Sequence, residues 1–282
     1  MNPWFYPTMV AGFGLFFAGR AASAKAAPGT LAEKVVLAAG FLAGLPGLLY
    51  GFYYGHLLLD KAVWFYELRS WPGTELLAAG MGFSAGVFNE RMLRRPPGKR
   101  PVGTLVAVLA LATALGMPYL KNIKHPIKKE SLADSWANGV CLQSSSSTCG
   151  ACCAATLLRG AGVQVTEAEV AEGAYTSLGG TEAWYLARFM RSKGVRVRFV
   201  SQDPALPELP YPSIAGVRMG GPGGFGHFIT VIERTPKGYA LGDPLFGRIL
   251  LPDHRLRAEY EFTGFFLALD LSAEKARSFR VR

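Results

Sequence analysis

The chain has 282 residues, half of them hydrophobic and 18% charged, with a formal net charge of +10 and a mean hydropathy of +0.21. That balance excludes a disordered chain, a collagen-like fibre and a small disulfide scaffold. Only 15 of the 50 charged side chains lie in residues 1–120, so the first part has the composition of a membrane-embedded region and the rest that of a water-soluble domain. The positive excess is shared equally by the two parts and is not interleaved with aromatics on one face, which excludes nucleic acid as a partner.

Four apolar segments follow one another at residues 4–19, 35–59, 72–89 and 102–120. A hydrocarbon core about 30 Å thick needs ~20 helical residues, so residues 1–120 are predicted to form a transmembrane helical domain of about four helices, with the lipid bilayer as its surroundings. The first segment has no Lys or Arg ahead of it and no small-residue cleavage site close behind, and does not read as a cleaved signal peptide. The third carries Glu75 but is rich in Gly and Ala, which suits a helix packed against other helices. His56 and the cluster Phe52-Tyr53-Tyr54 stand near the end of the second, where such residues anchor a span at the interface.

Orientation follows from basic residues in the short loops. Arg20, Lys25, Lys34, Arg91, Arg94, Arg95, Lys99 and Arg100 fall on one side; Lys61, Arg69, Lys121, Lys124, Lys128 and Lys129 fall on the other. The larger group marks the cytoplasm, which turns the C-terminal domain outward by a narrow margin that the loss of one span would reverse. No GxxxxGK[ST] phosphate loop occurs in the sequence, so no ATPase is visible in the chain.

Residues 121–137 read as a basic juxtamembrane linker and 138–282 as the soluble domain. A helix is predicted from about Cys149, others near 166–173 and 181–193, and then strands at 195–200, 228–232, 239–241, 246–251 and 262–269. Helices followed by strands give an α+β domain.

The chemistry concentrates at Cys141-Leu142-Gln143-Ser144-Ser145-Ser146-Ser147-Thr148-Cys149-Gly150-Ala151-Cys152-Cys153. A serine-rich run leads into a helix for which Thr148 is the expected N-cap. Cys149 then occupies the first turn, where unpaired N–H groups and the helix dipole favour a thiolate nucleophile. Of the four histidines, His56 lies in a span, His125 in the linker and His254 in a charged loop. His227 instead follows the glycine-rich run 220–226 and opens a strand, so it is held firmly and still reachable. A hairpin centred on Thr235 would set residue i against residue 470 minus i, which faces His227 with Asp243. A carboxylate there fixes the imidazole tautomer and stabilises the imidazolium. Gln143, six residues before the thiol, can donate a hydrogen bond to an oxyanion together with the Cys149 backbone N–H.

The pattern LQ-x5-CG at 142–150, His227 at a strand start in Gly-His-Phe, and Asp243-Pro244 sixteen residues later resemble the double-glycine leader peptidases, papain-like cysteine peptidase domains that process bacteriocin precursors. The resemblance covers about residues 138–270. It implies a papain-like fold with Cys149 as nucleophile, His227 as base, Asp243 as orienting acid and Gln143 as oxyanion donor. It also implies a peptide or protein substrate cut after a Gly-Gly leader, no cofactor or metal, a place in the bacterial plasma membrane, and a separate export ATPase as a partner. A non-catalytic membrane receptor that binds a peptide in the same cleft is the alternative. Cys149 and Cys152 also have the C-x-x-C spacing of a redox pair or part of a zinc site, though a zinc site lacks further ligands at suitable spacing. In an oxidising compartment Cys141 is a candidate to pair with Cys152 or Cys153, and the sequence leaves the connectivity open.

Overall fold

The computed structural model describes residues 2–205, 208–219, 225–271 and 279–281. The glycine-rich run before His227 falls largely outside these, at residues 220–224. The chain divides into two compact units, one of residues 1–60 and 71–124, the other of residues 61–70 and 125–282.

The first unit contains α1 (Phe5–Lys25) and α2 (Leu31–Tyr54). After α3 (Val63–Arg69), which belongs to the other unit, it resumes with a 3-10 run, Thr74–Ala79, then α4 (Gly80–Leu93) and α5 (Arg100–Lys124). Small residues point inward: Gly12 and Gly19 on α1, Gly40, Gly44 and Gly47 on α2, Gly82, Ala85 and Gly86 on α4. Large apolar side chains such as Phe13, Phe17, Phe41, Leu42, Leu105 and Leu109 are exposed. Small residues at the helix contacts let the backbones approach closely. A Cβ at Gly82 would lie 1.9 Å from the Gly12 carbonyl oxygen, so α1 and α4 meet at van der Waals contact of their main chains. Among the described residues two helices, α2 and α5, are long and apolar enough to cross a membrane, against the four expected. The apolar stretch of α4 is only 14 residues long.

In the second unit a two-stranded ribbon, β1 (Ser135–Ala137) and β2 (Val140–Leu142), leads into α6 (Cys149–Gly160), α7 (Glu167–Gly173) and α8 (Ala183–Ser192). Then come β3 (Val197–Ser201), β4 (Ser213–Met219), β5 (Phe225–Thr235), β6 (Gly238–Asp243), β7 (Gly247–Leu251), α9 (Asp253–Glu259) and β8 (Glu261–Leu269). The six strands form one antiparallel sheet in the order β3-β8-β4-β5-β6-β7. The expected α+β order is present. Central strand β4 was not expected, because Ser213-Ile-Ala-Gly-Val is buried throughout and lacks the alternation of a half-exposed strand. Asp253-His254-Arg255, expected as a charged loop, starts α9.

Residues 61–70, which the sequence placed with the membrane part, also differ from expectation. On α3 the Tyr66 ring packs against Trp184, Phe199 and Phe265, the last with centroids 4.4 Å apart. Glu67 accepts hydrogen bonds from Arg191 at 2.7 Å and from the Phe199 N–H at 3.1 Å. Aromatic burial and a fixed charge pair therefore make this short helix part of the second unit's core.

Candidate active site

Cys149 is the first residue of α6, and every residue from it to Leu158 is buried. Thr148 occupies the N-cap position, but its side chain does not cap the helix. Its hydroxyl accepts from the Ser145 N–H at 3.2 Å and donates to the Ser145 carbonyl at 3.0 Å, which closes the preceding serine loop on itself. The expected cap is thus diverted into building that loop. Gly150 lets the start of α6 come close to β5 and α8: a Cβ there would stand 3.1 Å from a Leu186 methyl and 3.2 Å from the Phe228 ring.

His227 lies on β5 in the row of Ile229 and Val231, and Asp243 lies on β6 in the row of Tyr239 and Leu241. These four neighbours belong to one buried apolar cluster, so both polar side chains point to the same face of the sheet. The hairpin register differs from the expected one. Thr235 pairs with Gly238, a bulge falls between Val231 and Glu233, and Thr230 pairs with Gly242. Continuing that register sets Asp243 opposite Ile229, two residues from His227. A slip of two keeps every side chain on its face, and the imidazole spans the diagonal.

The resulting contact is tight. His227 Nε2 and Asp243 Oδ1 are 3.0 Å apart, and Cys149 is the other group that raises the pKa of the imidazole. With Nε2 engaged by the carboxylate, Nδ1 is the nitrogen left for the thiol. Relative exposures of 8% for Cys149, 5% for His227 and 0% for Asp243 show that all three residues are buried, Asp243 completely. Burial alone would lower the pKa of His227, but Asp243 and Cys149 outweigh it and raise it from 6.5 to about 9. Burial works the other way on Asp243 and is overcome by the bonds from His227, the Leu245 N–H and Tyr260, which hold its pKa below the ordinary value. The Leu245 N–H donates to Oδ1 at 2.8 Å and the Tyr260 hydroxyl to Oδ2 at 2.7 Å.

Gln143 lines a cavity of about 310 Å³ together with Ser144, Ser145, Ser146, Phe225, His227 and Leu245. Its side-chain amide donates to the Ser145 carbonyl at 2.9 Å, and its Oε1 is buried with no hydrogen-bond partner among the described residues. An amide carries a second N–H, so one donor of Gln143 remains for the cleft. Of the four residues singled out from the sequence, Gln143 and His227 line this cavity, and Asp243 is buried behind it against His227. Tyr260 was not singled out. It arrives from the end of α9, far along the chain, and no local pattern marks it.

The other three cysteines are buried, and all four thiols are free. Burial, and after it the hydrogen bond to Cys141, pushes the Cys152 thiol upward, and burial does the same for Cys153. Both are therefore held as neutral thiols, and the Cys153 sulfur donates to the Phe228 carbonyl at 3.2 Å. No group of three or more His, Cys, Asp or Glu side chains among the described residues is arranged to hold a metal ion.

Residues 137–274 match the Peptidase C39 family. An uncharacterized protein of Methanothermobacter thermautotrophicus is 36% identical over 110 residues, which are 39% of this chain and 74% of that one. One from Methanothermobacter marburgensis is 38% identical over 107 residues, 38% of this chain and 72% of the other. Among solved structures, a double glycine motif protease from an AMS/PCAT transporter in complex with the leader peptide aligns at a TM-score of 0.40 with 22% identity, over 46% of this chain and 89% of that one. The peptidase domain of Streptococcus ComA, a bifunctional ABC transporter involved in quorum sensing, aligns at 0.38 with 20% identity, over 47% and 98%.

Proposed function

Since the chain belongs to the peptidase C39 family through residues 137–274, we propose that it is a membrane-anchored cysteine peptidase in which Cys149 attacks the peptide bond. The observation that carries this reading is the buried His227–Asp243 pair, 3.0 Å apart, whose imidazole is also acted on by Cys149 at the start of α6.

The thiolate of Cys149 adds to the scissile carbonyl carbon, and its oxygen becomes an oxyanion held by the second Gln143 N–H and the Cys149 backbone N–H. The His227 imidazolium gives its proton to the departing amine as the C–N bond breaks, leaving an acyl-thioester. Water then adds to the thioester with His227 as base, and the acid product leaves as the thiolate is restored. Asp243 keeps the imidazole turned and favours its charged form. A Gly-Gly pair before the cut is the substrate of this reading, presented to a cavity walled by Ser144, Ser145 and Ser146.

The membrane part of the reading is four crossings in the plasma membrane. Residues 61–70 fold with the second unit, so they share a side of the membrane with residues 125–282. One crossing by α5 then requires a second between residues 70 and 100, for which the helical stretch 74–93 is the candidate. A peptide substrate and a separate export ATPase are the partners of this reading.

The test is mass spectrometry of a Gly-Gly-containing peptide panel incubated with the detergent-solubilised full chain, the Cys149→Ala variant and the His227→Ala variant. Cleavage by the wild type alone supports the peptidase. Peptide binding without cleavage would favour the receptor reading instead.

A further inference from the structure

Glu167 is a carboxylate with no place in the chemistry above, and it is wholly buried. Removing a carboxylate from water is costly unless hydrogen bonds replace the lost solvent. Here both oxygens turn to one residue: Oε1 accepts from the Ser144 backbone N–H at 2.9 Å and Oε2 from the Ser144 hydroxyl. The same hydroxyl accepts from the Ala133 N–H at 2.8 Å. Glu167 is itself fixed, since its N–H donates to Asp134 Oδ1 at 2.9 Å and the preceding Thr166 forms a reciprocal cap with Glu169.

Ser144 follows Gln143. The Gln143 N–H donates to the carbonyl of Pro244, the residue after Asp243, at 2.9 Å. The main chain of Gln143 is thus held on one side by the strand end that carries the acid and on the other by the Glu167 carboxylate. Its side chain then turns back to the Ser145 carbonyl, so the direction of its remaining N–H depends on this short stretch staying fixed. An apolar side chain at 167 would fill the space without the desolvation cost. What the carboxylate adds is a rigid peptide between Gln143 and Ser144.

Resting on the peptidase reading, we infer that Glu167 is a positioning residue that aims the Gln143 amide at the oxyanion. It touches no reacting atom and acts only through Ser144.

The test separates reactions that form an oxyanion from one that does not. Iodoacetamide alkylates Cys149 by displacement and forms none, whereas acetyl-Gly-Gly aldehyde adds to the thiol and forms a tetrahedral oxygen. In the full chain in detergent, Glu167→Gln is expected to alkylate at Cys149 within about twofold of the wild type. It should bind the aldehyde at least about tenfold more weakly, part of the ~10²-fold or more that one oxyanion donor supplies. Gln143→Ala should give the same split, and the double variant should be no weaker than Gln143→Ala alone. Ser144→Ala, which deletes one of the two bonds, gives a smaller shift in the same direction and serves if Glu167→Gln does not fold. Equal aldehyde affinity in Glu167→Gln and wild type, or a loss that runs in parallel with alkylation, would overturn the role of Glu167 alone. A wild-type Cys149 that alkylates no faster than an ordinary thiol would overturn the peptidase reading and this role with it.

Discussion

Replacing Asp243 by Asn keeps the shape of the side chain and removes the charge that holds a proton on His227. In the wild type, burial favours neutral imidazole, and Asp243 and Cys149 reverse that preference, lifting the pKa from 6.5 to about 9. Without the carboxylate only Cys149 opposes burial, so the pKa falls back toward 6.5. At pH 8 a group of pKa about 9 is roughly 90% protonated and one of pKa about 6.5 roughly 3%. The variant therefore lacks the proton that the departing amine needs, by up to about thirtyfold in population. The assay is a pH titration of histidine-labelled chain by two-dimensional proton–nitrogen spectra, with the His227 signal assigned by its loss in His227→Gln. The same shift sets a stability slope. A raised pKa stabilises the fold in full below 6.5, and that contribution is lost as pH climbs through about 9. The melting-temperature gap between wild type and Asp243→Asn should narrow over that interval. A His227 that titrates near 6.5 in the wild type, or at the same pH in both proteins, would refute the reasoning.

Three further outcomes are expected. Tyr260→Phe removes the 2.7 Å donor to Asp243 Oδ2 and leaves a buried carboxylate oxygen short of a partner, which should cost about 1.5–3 kcal/mol in chemical denaturation and lower kcat several-fold with little change in KM. Tyr66→Ala empties a site between Trp184, Phe199 and Phe265; a loss of about 3 kcal/mol or more should expose Lys61 and Arg69 to trypsin at rates the wild type does not show. Gly82→Ala places a Cβ against the Gly12 carbonyl, whereas a Cβ at Gly14 meets nothing within 4 Å. The first should lower the melting temperature in detergent by an overpacking cost of about 1–3 kcal/mol, and Gly14→Ala should leave it unchanged.

The site was more legible in the sequence than its scaffold. Cys149, Gln143 and the start of α6 lie within one short stretch, where a polar loop meeting an Ala- and Cys-rich helix is a local signal. His227 and Asp243 were brought together by a hairpin expected to centre on Thr235; the structure shifts that centre and adds a bulge that no local signal marks, and the two residues still meet because the shift at their end is even and the faces of β5 and β6 are unchanged. The Thr148 cap failed because a threonine hydroxyl can serve the loop behind it as well as the helix ahead. Tyr260 and Glu167 carried no local mark, since each contributes through a partner distant in sequence: Asp243 for one, Ser144 for the other. The place of α3 was hidden for a related reason. Trp64-Phe65-Tyr66 between two apolar segments has the composition of an interfacial loop, and only tertiary packing distinguishes it from a core helix.

The central claim is that Cys149 and His227 act as nucleophile and base, and the most direct measurement is the iodoacetamide alkylation rate of each of the four cysteines across pH, mapped by mass in the wild type and in His227→Ala. The account predicts that Cys149 alone reacts fast and loses that advantage without His227, while Cys141, Cys152 and Cys153, which are buried, stay inert in both proteins. A Cys149 that reacts at the same slow rate with and without His227 would contradict it.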